Sequence, residues 1–357
     1  MSDFSTRVVQ WQKQHGRHDL PWQGADAYRV WLSEIMLQQT QVATVIPYYL
    51  RFLASFPNIN TLAVASIDVV LAHWSGLGYY ARGRNLHRAA KIVVEKFDGH
   101  FPNKFEQILD LPGIGRSTAA AICALAYHQR RAILDGNVKR VLARYCGVEG
   151  WTGNKQIEAQ LWQQAESLLP LSLGEQEVIE NQSEIATYTQ ALMDMGATIC
   201  TRSKPKCGYC PVQGDCVALQ TMRVAKLPTP RVRNTVPEKN ATFLLLIHGN
   251  DILLEKRAPQ GIWGGMWCLP QIEDGDGVVV SDYVLRAGVE VMERKDMDGF
   301  THTFTHFKLH ISPVLLRVAS KFMRVEQGES VWLDVEEALN AAIPTPVRIL
   351  LNRICLG

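Results

Sequence analysis

A short glycine-containing stretch between two helical patterns decides the interpretation of this chain: Leu111-Pro112-Gly113-Ile114-Gly115-Arg116-Ser117-Thr118-Ala119. Because glycine has no Cβ, Gly113 and Gly115 let backbone N–H groups approach an anion at the N-terminus of the following helix. Such a turn suits a DNA phosphate. By itself the pattern also fits an ordinary tight helix–helix turn, so its meaning depends on the rest of the chain.

The hydrophobic pattern changes once along the chain. Up to about residue 222, apolar residues recur at intervals of three and four, which predicts a bundle of about ten short helices. Beyond the proline-containing stretch 227–237 the period is that of strands, and 242–247 and 252–256 flank a hairpin turn. Helical segments are expected near 282–293, 334–342 and 346–354. We therefore predict a multidomain protein: an all-α domain over 1–222, a linker over 223–237 and an α+β domain over 238–357.

The charge is distributed unevenly between these two parts. With 357 residues, of which 47% are hydrophobic, a disordered or fibrous protein is excluded. The net charge of +2 hides 25 basic and 19 acidic residues in 1–237 against 12 and 16 in 238–357. Basic residues concentrate in 82–144 and 202–233. A basic face is what binding a polyanion requires, although an unevenly charged solvated surface gives the same pattern.

The chain shows no targeting or membrane signal. No apolar run approaches the roughly 18–20 residues that span a bilayer, and the N-terminus lacks the basic and apolar regions of a signal peptide. We therefore expect a cytoplasmic protein. Disulfides are rare in that compartment, so clustered cysteines indicate a metal.

Four of the eight cysteines lie within 17 residues: Cys200, Cys207, Cys210 and Cys216. In the spacing C-x6-C-x2-C-x5-C, one close pair is flanked by two single cysteines. This layout favours the four corners of a 4Fe–4S cluster over the two separated pairs that usually bind zinc. Zinc and buried free thiols remain the alternatives. Arg202, Lys204 and Lys206 make the loop basic, which is typical of a phosphate contact.

Taken together, the motifs resemble a known family. The hairpin 111–119, the stretch ILDGNVKR at 133–140 and the cysteine loop are similar to helix-hairpin-helix DNA glycosylases related to endonuclease III. The stretches WLSEIMLQQTQ at 31–41 and GLGYYAR at 76–82 resemble one branch of that superfamily, the MutY-type adenine DNA glycosylases. The resemblance covers essentially the whole chain. It implies base-excision repair by a bacterial, nucleoid-associated monomer that hydrolyses the N-glycosidic bond of adenine mispaired with 8-oxoguanine or guanine in duplex DNA.

The resemblance assigns catalysis to Glu34 and Asp135. Adenine leaves deoxyribose readily only when its ring is protonated, so excision needs an acid at the base and a negative charge beside the developing oxocarbenium ion. Glu34 lies among apolar residues of 31–37, so desolvation should keep it neutral. Asp135 lies at a turn with Asn137 and a helix N-terminus nearby, which should favour its anion. On local sequence alone, Glu34 also fits a surface glutamate and Asp135 a helix cap.

Ser117 and Asn137 are expected to support the two carboxyl groups. Bifunctional relatives have a lysine at the position of Ser117, and its amine attacks the sugar and permits strand cleavage through a Schiff base. We therefore predict a monofunctional glycosylase that uses water.

The resemblance also places residues around the bases and the DNA. The adenine pocket is expected at Trp22, Leu37 and Gln190, and DNA contacts at Gln39, Tyr79, Gly113 and Gly115. Gln39 and Tyr79 resemble residues that wedge into the duplex and help to extrude the target base. An aromatic residue such as Trp22 is as often plain core.

The C-terminal part resembles Nudix hydrolases around residues 261–270, GIWGGMWCLP. Their glutamate-rich catalytic helix should follow, but residues 271–280 read QIEDGDGVVV, so a magnesium-binding box is missing. Phe304-Thr305-His306-Phe307 matches the MutY-type motif that reads 8-oxoguanine, and Thr305 and His306 would supply the polar contacts. An amphipathic strand with a buried phenylalanine pair is the alternative.

Three rival functions follow from the same motifs. The first is a bifunctional endonuclease III-like glycosylase/lyase, which Ser117 opposes. The second is a non-catalytic iron–sulfur protein that binds DNA or senses redox state, which the pair Glu34 and Asp135 opposes. The third is a nucleotide hydrolase, which the missing Nudix box opposes.

Overall fold

The computed structural model describes residues 3–170, 178–231, 235–273, 280–321 and 329–355. The chain divides into two compact units, one made of Met1–Ala63 and Arg88–Val232, the other of Val64–His87 and Arg233–Gly357. The described parts of the first unit are helical, whereas those of the second combine a mixed sheet with helices. Among the described residues, no helix has both the length and the apolar character needed to cross a bilayer.

The helices in the described part of residues 3–231 are short. They are α1 (Asp3–His15), α2 (Ala27–Leu37), α3 (Val42–Ser55), α4 (Ile59–Val64), α5 (Ile67–Trp74), α6 (Ala81–Phe97), α7 (Phe105–Leu109), α8 (Arg116–Tyr127), α9 (Gly136–Tyr145), α10 (Lys155–Ser167), α11 (Val178–Asp194) and α12 (Val217–Gln220). A π-helical turn, Met195–Ile199, directly follows α11.

Helix α2 forms because a cap and an apolar stripe coincide. The Asp26 side chain accepts a hydrogen bond of 3.0 Å from the backbone N–H of Arg29, which satisfies one of the free N–H groups at the helix start. Trp31, Leu32 and Met36 then lie fully buried. Truncating a buried tryptophan such as Trp31 to alanine costs about 3–5 kcal/mol, so this helix is fixed firmly in the first unit.

Helices α8 and α9 are positioned by small side chains and by a second cap. Helix α8 packs against α2 and α11. Its residues Ala119, Ala120 and Ala124 are buried, and their small size lets the helix axes approach closely. Helix α9 begins at the residue after Asp135, which is its N-cap, and packs against α10, α11 and the π-helical turn. The starts of α8 and α9 and the body of α2 carry the predicted catalytic positions.

The second unit contains a mixed sheet. Its strands are β1 (Glu238–His248), β2 (Asp251–Lys256), β3 (Trp267–Cys268), β4 (Gln271–Glu273), β5 (Val291–Asp296), β6 (Phe300–Thr303), β7 (Lys308–Val318) and β8 (Ser330–Asp334). Its further helices are α13 (Val280–Ala287), α14 (Val335–Asn340) and α15 (Thr345–Cys355). The prediction of a helical part followed by an α+β part is confirmed.

Strand β1 lies in the middle of this sheet. It pairs with β7 in parallel, Glu238 opposite Lys308, and with β2 and β4 in antiparallel orientation. Leu244 and Leu246 of β1 pack in one apolar cluster of the unit. The helix expected over 282–293 is corrected by the structure, because α13 ends at Ala287 and β5 pairs with β7 as a strand. Residues 274–279, within the missing Nudix box, lie outside the described residues.

Candidate active site

Glu34 lies in α2 with buried neighbours on both sides, Ser33 and Ile35. Burial raises the pKa of Glu34 to about 8, and the negative charge of Asp135 adds to the effect. A carboxyl group with this pKa is mostly protonated at neutral pH and can donate its proton. The electrostatic influence of Asp135 also indicates that the two carboxyl groups lie near each other.

Asp135 caps the N-terminus of α9. Its Oδ1 atom accepts a hydrogen bond of 2.7 Å from the backbone N–H of Val138. Burial raises the pKa of Asp135, while the N–H groups of Val138 and Asn137 act in the opposite direction. The positive charges of Arg140 and Lys139 also lower it. The contacts expected to favour the anion are therefore present, but burial outweighs them, and the predicted net direction was wrong.

The order in which the two carboxyl groups lose their protons follows from these influences. The Asp135 anion is stabilised by hydrogen bonds from two backbone N–H groups and by the positive charges of Arg140 and Lys139. Glu34 has no comparable stabilising influence on its anion, and the charge of Asp135 disfavours ionisation further. We infer that Asp135 ionises first and that Glu34 keeps its proton beside it.

Ser117 supports the segment that carries Asp135. Its side-chain oxygen, in the first turn of α8, accepts a hydrogen bond of 2.9 Å from the backbone N–H of Leu134. Leu134 is the residue immediately before Asp135 and is buried. Ser117 therefore tethers the segment that leads into Asp135.

The glycine hairpin leaves the start of α8 accessible. Gly113 has φ of 82°, a conformation that favours glycine. Gly115 is the N-cap of α8, and no side chain caps this helix end. A Cβ on Gly115 would meet no atom within 4 Å, so the protein's own packing does not require a glycine there. Both glycines are exposed, which suits the approach of a phosphate to the helix N-terminus.

Asn137 and Arg140 connect the start of α9 to the cysteine loop. Arg140 donates from Nη2 to the Asn137 Oδ1 atom at 2.8 Å and to the Gly196 carbonyl at 2.5 Å. Its Nε atom donates to the Cys200 carbonyl at 2.7 Å. A Cβ on Gly196 would lie 2.5 Å from the Cβ of Asn137, so only glycine permits this close contact.

All four cysteines of the loop line one cavity beside α9. Burial raises the pKa of Cys210 to about 11, and the other three cysteines add to the effect, so a positively charged metal centre in this cavity would favour the thiolate forms. Among the described residues, no three His, Cys, Asp or Glu side chains converge closely enough to coordinate one metal ion. Four thiols that line one cavity provide the four corner ligands that a 4Fe–4S cluster needs.

Gln190 belongs to a buried polar network in the first unit. Its Nε2 atom donates to Asp194 Oδ1 at 2.8 Å. The Asp194 side chain is fully buried and also accepts from Arg17, at 2.8 Å from the backbone N–H and at 2.9 Å from Nε. Gln12 donates to it at 3.1 Å. Because a carboxylate only accepts, the Gln190 amide must turn its nitrogen toward Asp194 and its oxygen away.

Three other predicted positions of the first unit lie at or near the ends of elements. Trp22 is 5% exposed and meets the Tyr49 ring edge-on at 5.3 Å, so it is at least a core residue. Leu37 is the last residue of α2 and is half-buried. Gln39 is exposed and has φ of 58°, the left-handed region that is uncommon for residues with a side chain.

The remaining predicted positions lie in the second unit. Tyr79 is 43% exposed and has φ of 50°. Thr305 and His306 are exposed in the turn between β6 and β7. The rings of Phe304 and Phe307 stack at 4.3 Å beneath this turn, at an interplanar angle of 14°. The turn thus exposes a hydroxyl group and an imidazole ring above two stacked phenylalanine rings.

Sequence reasoning missed Arg140, Arg144 and Asp194. Arg144 is 4% exposed and donates to carbonyls of the cysteine loop, including Thr201 at 2.8 Å, and to Cys200 Sγ at 3.3 Å. The available signal was spacing, because Arg140 and Arg144 are one helical turn apart, as are Gln190 and Asp194. Residues one turn apart are equally common on solvent-exposed helix faces, so the spacing alone did not identify the arginine pair or the Gln190–Asp194 pair.

Three parts of the chain match family models. Residues 32–167 match the HhH-GPD superfamily base excision DNA repair protein, residues 200–216 the iron–sulfur binding domain of endonuclease III, and residues 241–353 the NUDIX domain. An adenine DNA glycosylase of Buchnera aphidicola subsp. Acyrthosiphon pisum (strain APS) is 39% identical over 352 residues, covering 98% of this chain and 97% of the relative. The chain belongs to the adenine DNA glycosylase family.

A more distant relative and a solved structure are also similar to this chain. The human adenine DNA glycosylase is 31% identical over 410 residues, which cover 97% of this chain and 72% of the relative. A solved thermostable thymine-DNA glycosylase has a TM-score of 0.53 at 27% identity, covering 61% of this chain and 95% of that chain.

Membership in the adenine DNA glycosylase family settles several predictions. Removal of adenine in base-excision repair is confirmed, and the bifunctional and non-catalytic rivals are not favoured. The 4Fe–4S interpretation of the cysteine loop is confirmed over zinc. The roles of individual residues stay predictions.

Proposed function

We propose that this adenine DNA glycosylase acts on adenine paired with 8-oxoguanine in double-stranded DNA, and more slowly on adenine paired with guanine. We propose further that it acts as a monofunctional monomer. The observation that carries the proposal is the carboxyl pair of Glu34 and Asp135, in which burial and, to a smaller extent, the charge of Asp135 raise the pKa of Glu34 to about 8. A cytoplasmic location with association to the nucleoid stays a prediction.

Glu34 is the proposed acid and later the base. Its protonated carboxyl group transfers a proton to a ring nitrogen of adenine. The glycosidic bond then breaks, and the electron pair of that bond leaves with adenine. Glu34 is then a carboxylate. It removes a proton from the water molecule that attacks the sugar carbon, which returns Glu34 to its starting form.

Asp135 is the proposed stabiliser of the sugar cation. Its carboxylate is held in place by the N–H of Val138 at 2.7 Å, so its charge is fixed before the reaction begins. Ser117 has no amine that can attack the sugar, and its oxygen is occupied by the N–H of Leu134. These contacts support hydrolysis by water and oppose a Schiff base intermediate.

Residues of both units are proposed to select the bases. Gln190, Trp22 and Leu37 are the proposed adenine pocket, with the Gln190 amide oxygen as an acceptor for the exocyclic amine of adenine. Tyr79 and Gln39 are the proposed wedges, and both combine exposure with a left-handed backbone that fixes their direction. Thr305 and His306 are the proposed readers of the opposite base.

Cys200, Cys207, Cys210 and Cys216 would hold the 4Fe–4S cluster. When bound, the cluster supplies metal–thiolate bonds that fix the basic loop beside α9. Hydrolysis of the glycosidic bond itself is carried by Glu34 and Asp135.

The test is a single-turnover assay on duplexes that carry adenine opposite 8-oxoguanine, guanine or thymine. We expect release of adenine from the first two, more slowly from the second, and near-complete loss in Glu34→Gln and Asp135→Asn. Equal excision opposite thymine, or full activity of Asp135→Asn, contradicts the proposal. Borohydride trapping of a protein–DNA adduct at the level of a lysine lyase contradicts the monofunctional assignment.

Point substitutions test the opposite-base readers more cleanly than truncation, because residues 64–87 belong to the same unit as the C-terminal part. Thr305→Ala and His306→Ala should lower the rate opposite 8-oxoguanine more than the rate opposite guanine. A neighbouring control is Thr303→Ala, which changes an exposed hydroxyl of β6. If all three substitutions changed the rates on both substrates equally, the proposal that Thr305 and His306 recognise the opposite base would be contradicted.

A further inference from the structure

The turn that presents Tyr79 is held rigidly. Gly76 and Gly78 have φ of 95° and 76°, so three of the four residues 76–79 adopt the left-handed region. The Gly78 carbonyl accepts hydrogen bonds from Trp74 Nε1 at 3.2 Å and from Arg82 Nη2 at 3.1 Å. We call residues 75–80 the wedge turn. A rigid turn transmits a displacement of its ends to the Tyr79 side chain instead of absorbing it.

The C-terminal part of the same unit holds one end of the wedge turn. The Ser75 hydroxyl donates to the Ile343 carbonyl at 2.7 Å and accepts from Arg348 Nη2 of α15 at 3.0 Å. Ser75 is 6% exposed. A buried hydroxyl with both a donor and an acceptor partner fixes the position of its backbone.

Arg84 holds the other end. It lies in the first turn of α6, five residues after Tyr79, and its Nη1 atom donates to the Gly264 carbonyl at 2.7 Å. Arg84 is half-buried. A Cβ on Gly264 would lie 2.5 Å from the Pro259 carbonyl oxygen, so the chain around this acceptor is tightly folded and the bond has a fixed partner.

The residue before Gly264, the acceptor of Arg84, makes an aromatic contact with the turn 304–307. Trp263, the residue before Gly264, is 7% exposed, and its ring lies 5.4 Å from the ring of Phe304. Phe304 begins the turn that presents Thr305 and His306. A continuous series of packed groups therefore runs from this turn through Trp263 and Gly264 to Arg84 and the wedge turn.

We propose that Arg84 is a positioning residue that couples reading of the opposite base by the turn 304–307 to the placement of Tyr79 in the duplex. This inference rests on the proposed function. Engagement of 8-oxoguanine by the turn fixes Phe304 and Trp263, the Gly264 carbonyl holds Arg84, and Arg84 fixes the wedge turn. The preference for 8-oxoguanine over guanine then depends on a residue that contacts neither base.

The experiment is a single-turnover assay of the full chain on adenine opposite 8-oxoguanine and opposite guanine. We expect Arg84→Ala to lower the rate opposite 8-oxoguanine about 5–20-fold, the size of an ordinary coupling between two sites, and to change the rate opposite guanine less than about twofold. Arg84→Lys should restore part of the preference, because an ammonium group can donate to the same carbonyl. The control is Lys91→Ala, which removes an exposed charge from the same helix.

The outcomes separate the coupling from simpler roles. An unchanged rate ratio in Arg84→Ala, or an equal fall with both opposite bases, overturns the proposal, because the second result indicates a general loss of structure or of DNA binding. If Arg84→Ala does not fold, Arg84→Met decides, because it keeps a long aliphatic side chain but cannot donate to the Gly264 carbonyl: a rate ratio below that of the parent protein supports the coupling, and a parental ratio refutes it. A parent protein without any preference for 8-oxoguanine contradicts the proposed function instead.

Discussion

The Ser117 hydroxyl oxygen accepts a hydrogen bond of 2.9 Å from the backbone N–H of Leu134, the residue before Asp135. A side chain in the first turn of one helix thereby fixes the residue that precedes the cap of the next. Ser117, which was expected to stand where bifunctional relatives have a lysine, thus holds the segment that leads into Asp135, the proposed catalytic carboxylate.

Ser117→Ala should weaken both the loop and the chemistry. Losing the acceptor leaves the N–H of the buried Leu134 unpaired, which costs about 1–3 kcal/mol. We expect a comparable fall in the free energy of unfolding and about a tenfold lower single-turnover rate, with DNA affinity little changed. Ser117→Thr keeps the hydroxyl and should retain most of the activity. Full activity of the alanine variant would show that the tether does not position Asp135.

The single-turnover rate should fall as pH rises through about 8. The pKa of Glu34 lies at about 8, and only the protonated form can donate to adenine. The rate should therefore be level between pH 6 and 7 and fall about tenfold per pH unit well above the pKa. The profile is measured at saturating protein. A rate that rises through this range would exclude Glu34 as the acid.

Asp194→Asn should destabilise the first unit strongly. The substitution removes the charge that faces Arg17, whose Nε atom lies 2.9 Å from the fully buried carboxylate. Breaking a buried ion pair costs about 3–5 kcal/mol. The matched control is Asp215→Asn, which removes the largely exposed partner of Arg7 and should cost less than about 1 kcal/mol. Urea unfolding measures both, and similar values for the two variants would refute the prediction.

Gly196→Ala should impair catalysis through the start of α9. A Cβ at this position would lie 2.5 Å from the Cβ of Asn137 and 3.0 Å from its Cα, so the backbone next to Asp135 must shift. A small displacement of a catalytic group can cost on the order of a hundredfold in rate. Gly214→Ala is the control, because its Cβ would meet no atom within 4 Å. Equal single-turnover rates for both variants would contradict the argument.

The sequence predicted local features well where short-range patterns determine them. The helix cap at Asp135 and the change from helical to strand period at the start of β1 both depend on neighbouring residues. The pKa of Asp135 was predicted in the wrong direction because the depth of burial depends on distant segments. The partners of Asp194 at Arg17 and Gln12 lie at least 177 residues away in sequence, and no local pattern identifies them.

Strand β5 shows the same limit in the second unit. Residues 291–293 were expected to lie in a helix over 282–293, but they belong to β5, which pairs with β7 at the edge of the sheet. Their exposed, charged side chains fit a solvated helix face and a sheet edge equally well. Only the presence of a neighbouring strand with free hydrogen-bonding groups decides between them.

Arg140 and Arg144 tie helix α9 to the backbone of the cysteine loop. Both arginines hold carbonyl groups between residues 196 and 202, and these bonds join protein groups to protein groups. The backbone around Cys200 is therefore held by side chains of α9, through bonds that involve protein groups alone. Helix α9 thus joins the proposed catalytic Asp135, at its N-cap, to the cysteine loop, so that a substitution within this helix can disturb both places at once.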